Sequence, residues 1–191
     1  MASPVVGKDP TTISIGSGAL YIAPLGTSEP ASLSLAFPST WVPIGYTEKG
    51  TTFTRAVTAA DVDVAEEYYS VDVIITAYKI TVDFAFSQMT AQNYYWAMNG
   101  GTITTNLGDV FFDPPAAGTE TAVMIGWTST ALDEAYIWRQ CLQVGATATS
   151  RQKVLPQALI PVSFELMKPA SKQPWRWMGT GGSTGIPNRV G

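Results

Sequence analysis

The chain has 191 residues, 46% of them hydrophobic and only 14% charged, with no histidine and one cysteine, Cys141. That length supports one domain with a real core. The missing histidine removes the commonest general base and metal ligand, and with it any Ser-His-Asp or Cys-His arrangement. Cys141 alone forms neither an intrachain disulfide nor a thiolate cluster, and reads as a small buried hydrophobe. Charge this sparse leaves much of the surface neutral, which suits protein contacts. The net charge of −4 hides an asymmetry: residues 1–134 carry 14 acids and 4 bases, residues 135–191 carry 1 acid and 7 bases. If that polarity is also spatial, opposite ends of two copies attract, giving head-to-tail contacts that close into rings or run on as filaments. Scattered solvated charge is the plainer reading.

Residues 1–17 are polar, contain Gly, Ser and Pro, and read as a flexible N-terminal arm. Met1-Ala2-Ser3-Pro4 has neither a basic nor an apolar signal region, and no apolar run reaches the ~20 residues of a membrane span. A soluble product of the cytoplasm is expected. Ala19–Pro24 reads as a short strand closed by Gly26, and Thr27–Thr40 as a Ser/Pro loop. Trp41–Tyr46 is a second strand, Thr47–Gly50 its turn, and Thr51–Val57 a third strand.

No glycine or proline occurs between Gly50 and Gly100, where the chain's own 17 Gly and 13 Pro would place about eight. Those residues interrupt regular structure, so this tract should hold long unbroken elements. Its first part is an acidic arm. Ala56 to Tyr78 contains Asp61, Asp63, Glu66, Glu67 and Asp72 and no base. Thr58–Ser70 reads as an irregular hairpin or a mobile loop, extended and partly strand-like. Val71–Gln88 is a strand that alternates strictly in its second half. Tyr78, Ile80, Val82, Phe84 and Phe86 point one way, and Lys79, Thr81, Asp83, Ala85 and Ser87 the other. One buried and one polar face indicate an antiparallel sheet. Thr90 then reads as an N-cap, with Ala91, Tyr94, Tyr95 and Met98 at helical spacing and Gly100 at C′.

Thr102–Asn106 is a short strand, Asp113–Gly118 a loop, and Thr121–Thr128 a strand. Ala135–Val144 alternates, with Ala135, Ile137 and Cys141 against Tyr136, Trp138 and Leu142. Leu159–Met167 alternates cleanly, and Pro161 within it indicates an edge or a bulge. Residues 169–191 read as a flexible or partner-docked tail with Trp175 and Trp177 as anchors. The sum is mainly β: seven or eight mostly antiparallel strands and one short α-helix, a β-sandwich or half-open barrel over residues 18–168.

Catalytic and ligand motifs are absent or poor. Gly16-Ser17-Gly18 lacks the third glycine and the lysine of a phosphate loop. Asp61-Val62-Asp63 lacks the glycine of a calcium loop. Asp133-Glu134 would face opposite ways on a strand. Trp175-Arg176-Trp177 would stack on bases or sugars, or dock into a protein groove. No basic patch favours nucleic acid, and no cofactor or metal is expected. The polar strand face has a mechanical meaning. In a ring of subunits joined edge to edge it would line a pore. Thr81, Asp83, Ser87, Ser163 and Glu165 would keep that wall neutral or repulsive to phosphates, with Lys79 at the rim. An ordinary solvated sheet face is the alternative.

Three pieces in order carry a resemblance: Gly18-Ala-Leu-Tyr-Ile-Ala-Pro-Leu-Gly26, Trp41-Val-Pro-Ile-Gly-Tyr-Thr-Glu-Lys-Gly50, then the acidic arm with Val73–Gln88 and Thr90–Gly101. Over residues 18–101 the chain resembles the major tail (tail tube) proteins of long, non-contractile-tailed bacteriophages, particularly those of actinobacterial hosts. The resemblance implies a structural protein, not an enzyme. It implies hexameric rings stacked into a tube, an inner β-barrel shared by the subunits, and a lumen that conducts DNA during ejection. It also implies a long loop reaching the next ring, here residues 55–70 with Arg55, Asp61, Asp63, Glu66 and Glu67. Their complement would be Arg139, Arg151, Lys153, Lys168 and Lys172. Implied partners are further copies, the tape measure, tail terminator and distal tail proteins, and DNA in passage, with no membrane. The implied location is the virion tail, after assembly in the host cytoplasm. Many relatives append an immunoglobulin-like domain; none is expected here, since the chain ends soon after Met167. The rivals are a single-ring head–tail connector or tail-terminator protein, and a carbohydrate-binding β-sandwich using Trp41, Trp175 or Trp177.

Overall fold

A computed structural model describes residues 18–33, 37–62, 68–130, 134–149 and 158–179. Ten strands and one helix occur among them: β1 (Gly18–Pro24), β2 (Val42–Pro43), β3 (Thr47–Val62), β4 (Asp72–Phe86), α1 (Ala91–Ala97), β5 (Thr102–Asn106), β6 (Asp109–Asp113), β7 (Val123–Ser129), β8 (Glu134–Gln143), β9 (Ile160–Leu166) and β10 (Trp175–Gly179). The fold is mainly antiparallel β, as the alternating strands predict. The main sheet runs β2-β1-β7-β8-β9-β4-β3, with β10 also on β8, and β5-β6 form a separate ribbon.

The core follows from the alternation. Val82, Phe84 and Phe86 of β4 turn inward against Ile160, Val162 and Phe164 of β9, and buried Ile80 continues the same face beyond that pairing. Leu20, Ile22, Val123, Ile125, Trp138 and Cys141 join them, and α1 closes the cluster with Trp96 and Ala97. Each fully buried large side chain, such as Phe86 or Phe164, contributes about 2–3 kcal/mol. Thr90 caps α1 as expected, its Oγ1 accepting from the Asn93 N–H at 3.1 Å.

β8 shapes the molecule. Two β7 steps, Val123 to Ile125, span three on β8, Cys141 to Trp138. The extra residue is a bulge that turns Trp138 and Cys141 into the same core, while Ile137 joins Ala23, Trp41 and Met124 in a second cluster. The expected alternation, with Ile137 and Cys141 on one face against Trp138, is broken there. β8 also changes neighbours at the bulge. β10 pairs with Glu134–Trp138, and β9 with Cys141–Gln143. The sheet therefore forks into a β10 branch and a β9-β4-β3 branch. Pro161 lies where β9 pairs with β4 but has run past β8, so its missing N–H faces no strand.

Other expectations shift. Thr47–Gly50 is no turn; it lies within β3, where a register irregularity sits between Glu48 and Thr52 and Gly50 has φ +83°. The second strand shrinks to Val42–Pro43. β6 and β10 were not anticipated, and β10 makes Trp175–Gly179 part of the main sheet, not a loose tail. Asn99, not Gly100, takes the left-handed C′ position, at φ +57°. The Gly100 and Asn99 N–H groups donate back to Tyr95 O and Trp96 O, a Schellman closure. Residues 1–17 lie outside the described residues.

Candidate functional site

Two surfaces stand out, and β3 and β4 build both. β9 supports β4 only over Thr81–Phe86, while the register with β3 continues to Val62 and Asp72. The eight residues Asp72–Lys79 are all exposed. With β3 they form an antiparallel arm about 26 Å long, and no third strand of the described residues pairs with it. A register shift between Thr58 and Ala59 leaves Thr76 unpaired, its Oγ1–H donating to Thr58 O at 3.1 Å. Because residues directly opposite share a face, this bulge keeps Val73 and Ile75 on the side of Tyr78 and core-facing Ile80. Val57 and Tyr78 pair directly, and Val57, Val73, Ile75 and Tyr78 are 44–55% exposed. The arm thus extends the core's apolar stripe into solvent. Arg55 lies at its root, its guanidinium 4.5 Å from the Tyr78 ring centroid. Asp61 and Asp72 lie near its far end, and Tyr68 and Tyr69, just before Asp72 in the chain, are exposed. Asp63, Glu66 and Glu67 lie outside the described residues. The arm is longer than the sequence indicated: Asp72–Lys79, read there as part of the sheet strand, belongs to it.

The opposite face of the same strands is polar. Thr81 pairs with Glu165 and Asp83 with Ser163. Lys79 Nζ lies 3.6 Å from Glu165 Oε2, and the Thr81 hydroxyl donates to Asp83 Oδ2 at 3.1 Å. Thr52, Thr54 and Ala56 of β3 pair with Asp83, Thr81 and Lys79 and extend this face. Ser87 follows the end of β4, its N–H donating to Tyr46 O. The structure therefore brings Lys79, Thr81, Asp83, Ser163 and Glu165 together. The sheet is not closed. Among the described residues no strand pairs with the outer edge of β3, and β2 covers β1 only at Tyr21 and Ile22.

The expected basic surface is rearranged. Arg139 Nε and Nη2 donate to Glu29 Oε1 and Oε2, both at 2.9 Å, and Lys172 Nζ reaches Oε1 at 2.7 Å. Arg176 lies 3.7 Å away, and the Glu29 side chain is only 9% exposed. Arg139's hydrogen bonds, with those of Lys172, outweigh the upward push of burial and hold the Glu29 carboxyl at about 2. Arg139 and Lys172 are thus committed within the subunit. Nothing local in the sequence marks Glu29, which lies 110 residues from Arg139. Arg151 and Lys153 lie outside the described residues. Lys168 is exposed, and with Arg55, Tyr78, Ile80, Leu166 and Trp175 it lines a cleft of about 700 Å³ in the fork of the sheet.

The tryptophans serve packing. Trp41 is buried and donates its indole N–H to Ser28 O. Trp175 packs on Phe53 and Tyr136, and Trp177 donates to Glu134 Oε1 at 2.8 Å. They form no shared sugar-stacking platform. Burial pushes the Cys141 thiol far up, so it is no nucleophile. Among the described residues no three acidic or cysteine side chains converge on a metal position. None of their helices is long and apolar enough to cross a membrane.

A search of curated proteins returned no match. A family model described as phage tail tube protein matches residues 7–184.

Proposed function

The chain belongs to the phage tail tube protein family, and from that premise we propose that its copies close into hexameric rings that stack into the tube of the virion tail. The tube conducts DNA during ejection. It assembles in the host cytoplasm with the tape measure, tail terminator and distal tail proteins, and the chain serves as a wall, not as an enzyme.

The observation that carries this reading is the arm. A two-stranded ribbon is marginal alone in water, and this one exposes Val57, Val73, Ile75 and Tyr78 along one face. Apolar area of that kind is stabilised by burial. The stripe is continuous with the subunit's own core, so a copy placed against the end of the subunit extends the packing. Lateral closure has its own support in the open edges at β3 and at β1–β2. Edge-to-edge pairing would satisfy their free backbone groups and remove the aggregation hazard of an exposed edge. The face carrying Lys79, Thr81, Asp83, Ser163 and Glu165 then lines the lumen. Its charges sum to −1, too little cation to hold a phosphate backbone.

Negative-stain imaging of the purified protein tests the reading. Tubes of stacked rings are expected. Isolated rings at every concentration would make it a connector or terminator, and monomers would remove the assembly role.

A further inference from the structure

We infer that the cleft in the fork of the sheet receives the acidic end of the arm from a copy in the next ring. This rests on the reading that rings stack through the arm, and it adds where the arm ends.

The cleft is lined by two cations, Arg55 and Lys168, and by the apolar side chains of Ile80, Leu166 and Trp175. No carboxylate of the described residues pairs with either cation. The neighbouring bases Arg139, Lys172 and Arg176 differ in this, since all three close on Glu29. Among the described residues, then, the fork leaves Arg55 and Lys168 without a carboxylate, Arg55 resting only on the Tyr78 ring, beside half-buried aromatic surface.

The arm's far end is the complement. Asp61 and Asp72 flank it, and the sequence between them adds Asp63, Glu66 and Glu67 with no base. No other segment of the chain concentrates like charge so closely. Tyr68 and Tyr69, almost fully exposed, give the same segment aromatic surface to set against the cleft's apolar lining. Acid and aromatic groups on one side thus meet cation and apolar groups on the other. Asp61 and Asp72 do not reach their own cleft: about 20 Å of paired ribbon, from Asp72 to Tyr78, holds them apart. The occupant is therefore a second copy. Because end and cleft are different surfaces, the contact is heterologous and repeats without closing along the tube axis.

A charge-swap experiment tests this. One variant carries Arg55→Glu and Lys168→Glu; the other carries Asp61→Lys, Glu66→Lys and Glu67→Lys. Each alone is expected to fold and form rings, with the concentration needed for tubes raised about tenfold or more. A mixture of the two should regain tubes, because each supplies the other's complement. Tube growth by the cleft variant at wild-type concentration, or a mixture that stays as rings, would overturn the inference. Loss of wild-type tubes altogether would instead remove the stacking reading on which it rests.

Discussion

At the scale of single residues, the molecule is held by polar groups that no local pattern reveals. Asn99 ends α1 in a left-handed turn and clasps β8, donating to Gln143 O at 2.7 Å and accepting from its N–H at 2.8 Å. The sequence placed a cap at the right end of the helix but assigned it to Gly100, because glycine adopts that geometry most freely. The side chain's second task, pairing with a strand 44 residues away, is a tertiary fact. Glu29 is similar: a lone acid in a Ser/Pro loop whose three basic partners all come from the last third of the chain. Its carboxyl lies at about 2 in the folded protein against an ordinary value of 4.5. A depressed carboxyl contributes stability that is complete above its unfolded value and is lost as pH falls through the folded one. Glu29→Gln is therefore expected to destabilise the subunit by up to about 3 kcal/mol at pH 7. The gap from wild type should close between about pH 4.5 and pH 2. Denaturant unfolding of both proteins across that range measures it; a gap unchanged from pH 7 to pH 2 would contradict the assignment.

At the scale of elements, the strand pattern was legible and its interruptions were not. β4's alternation named its core face residue by residue, because period-2 burial leaves a direct mark on composition. Bulges leave no such mark. The extra residue at Thr76 decides which face of the arm is apolar, and the one in β8 decides where the sheet forks. The Gly/Pro-free tract did announce long elements, and β3 and β4 are 16 and 15 residues long. It did not show that their outer halves leave the sheet together, since exposed and buried strands share the same propensity. The arm's stripe carries an expectation at this scale. Val73→Thr with Ile75→Thr should leave the folded subunit within about 1 kcal/mol of wild type, because both positions are exposed and threonine keeps the β-branch, yet weaken stacking. Unfolding curves and sedimentation of the assembled protein check the two halves. Undiminished tubes would mean the stripe is not covered by a neighbour.

At the scale of the whole molecule, the halves of the charge asymmetry meet partly inside the subunit, at Glu29, and partly not, at the arm's end and the fork. That division could not be read from charge counts, because pairing depends on which loops the sheet brings together. The family assignment rests on the match over residues 7–184, while the open sheet, the polar face and the unsupported arm give it a physical form. A cryo-electron-microscopic reconstruction of tubes grown from the purified chain tests that form most directly. The account predicts Val73, Ile75 and Tyr78 buried against the next ring, the arm's end in the Arg55–Lys168 cleft, and Thr81, Asp83 and Glu165 facing the lumen. An arm lying free on the outside of the tube, with its stripe in solvent, would contradict it.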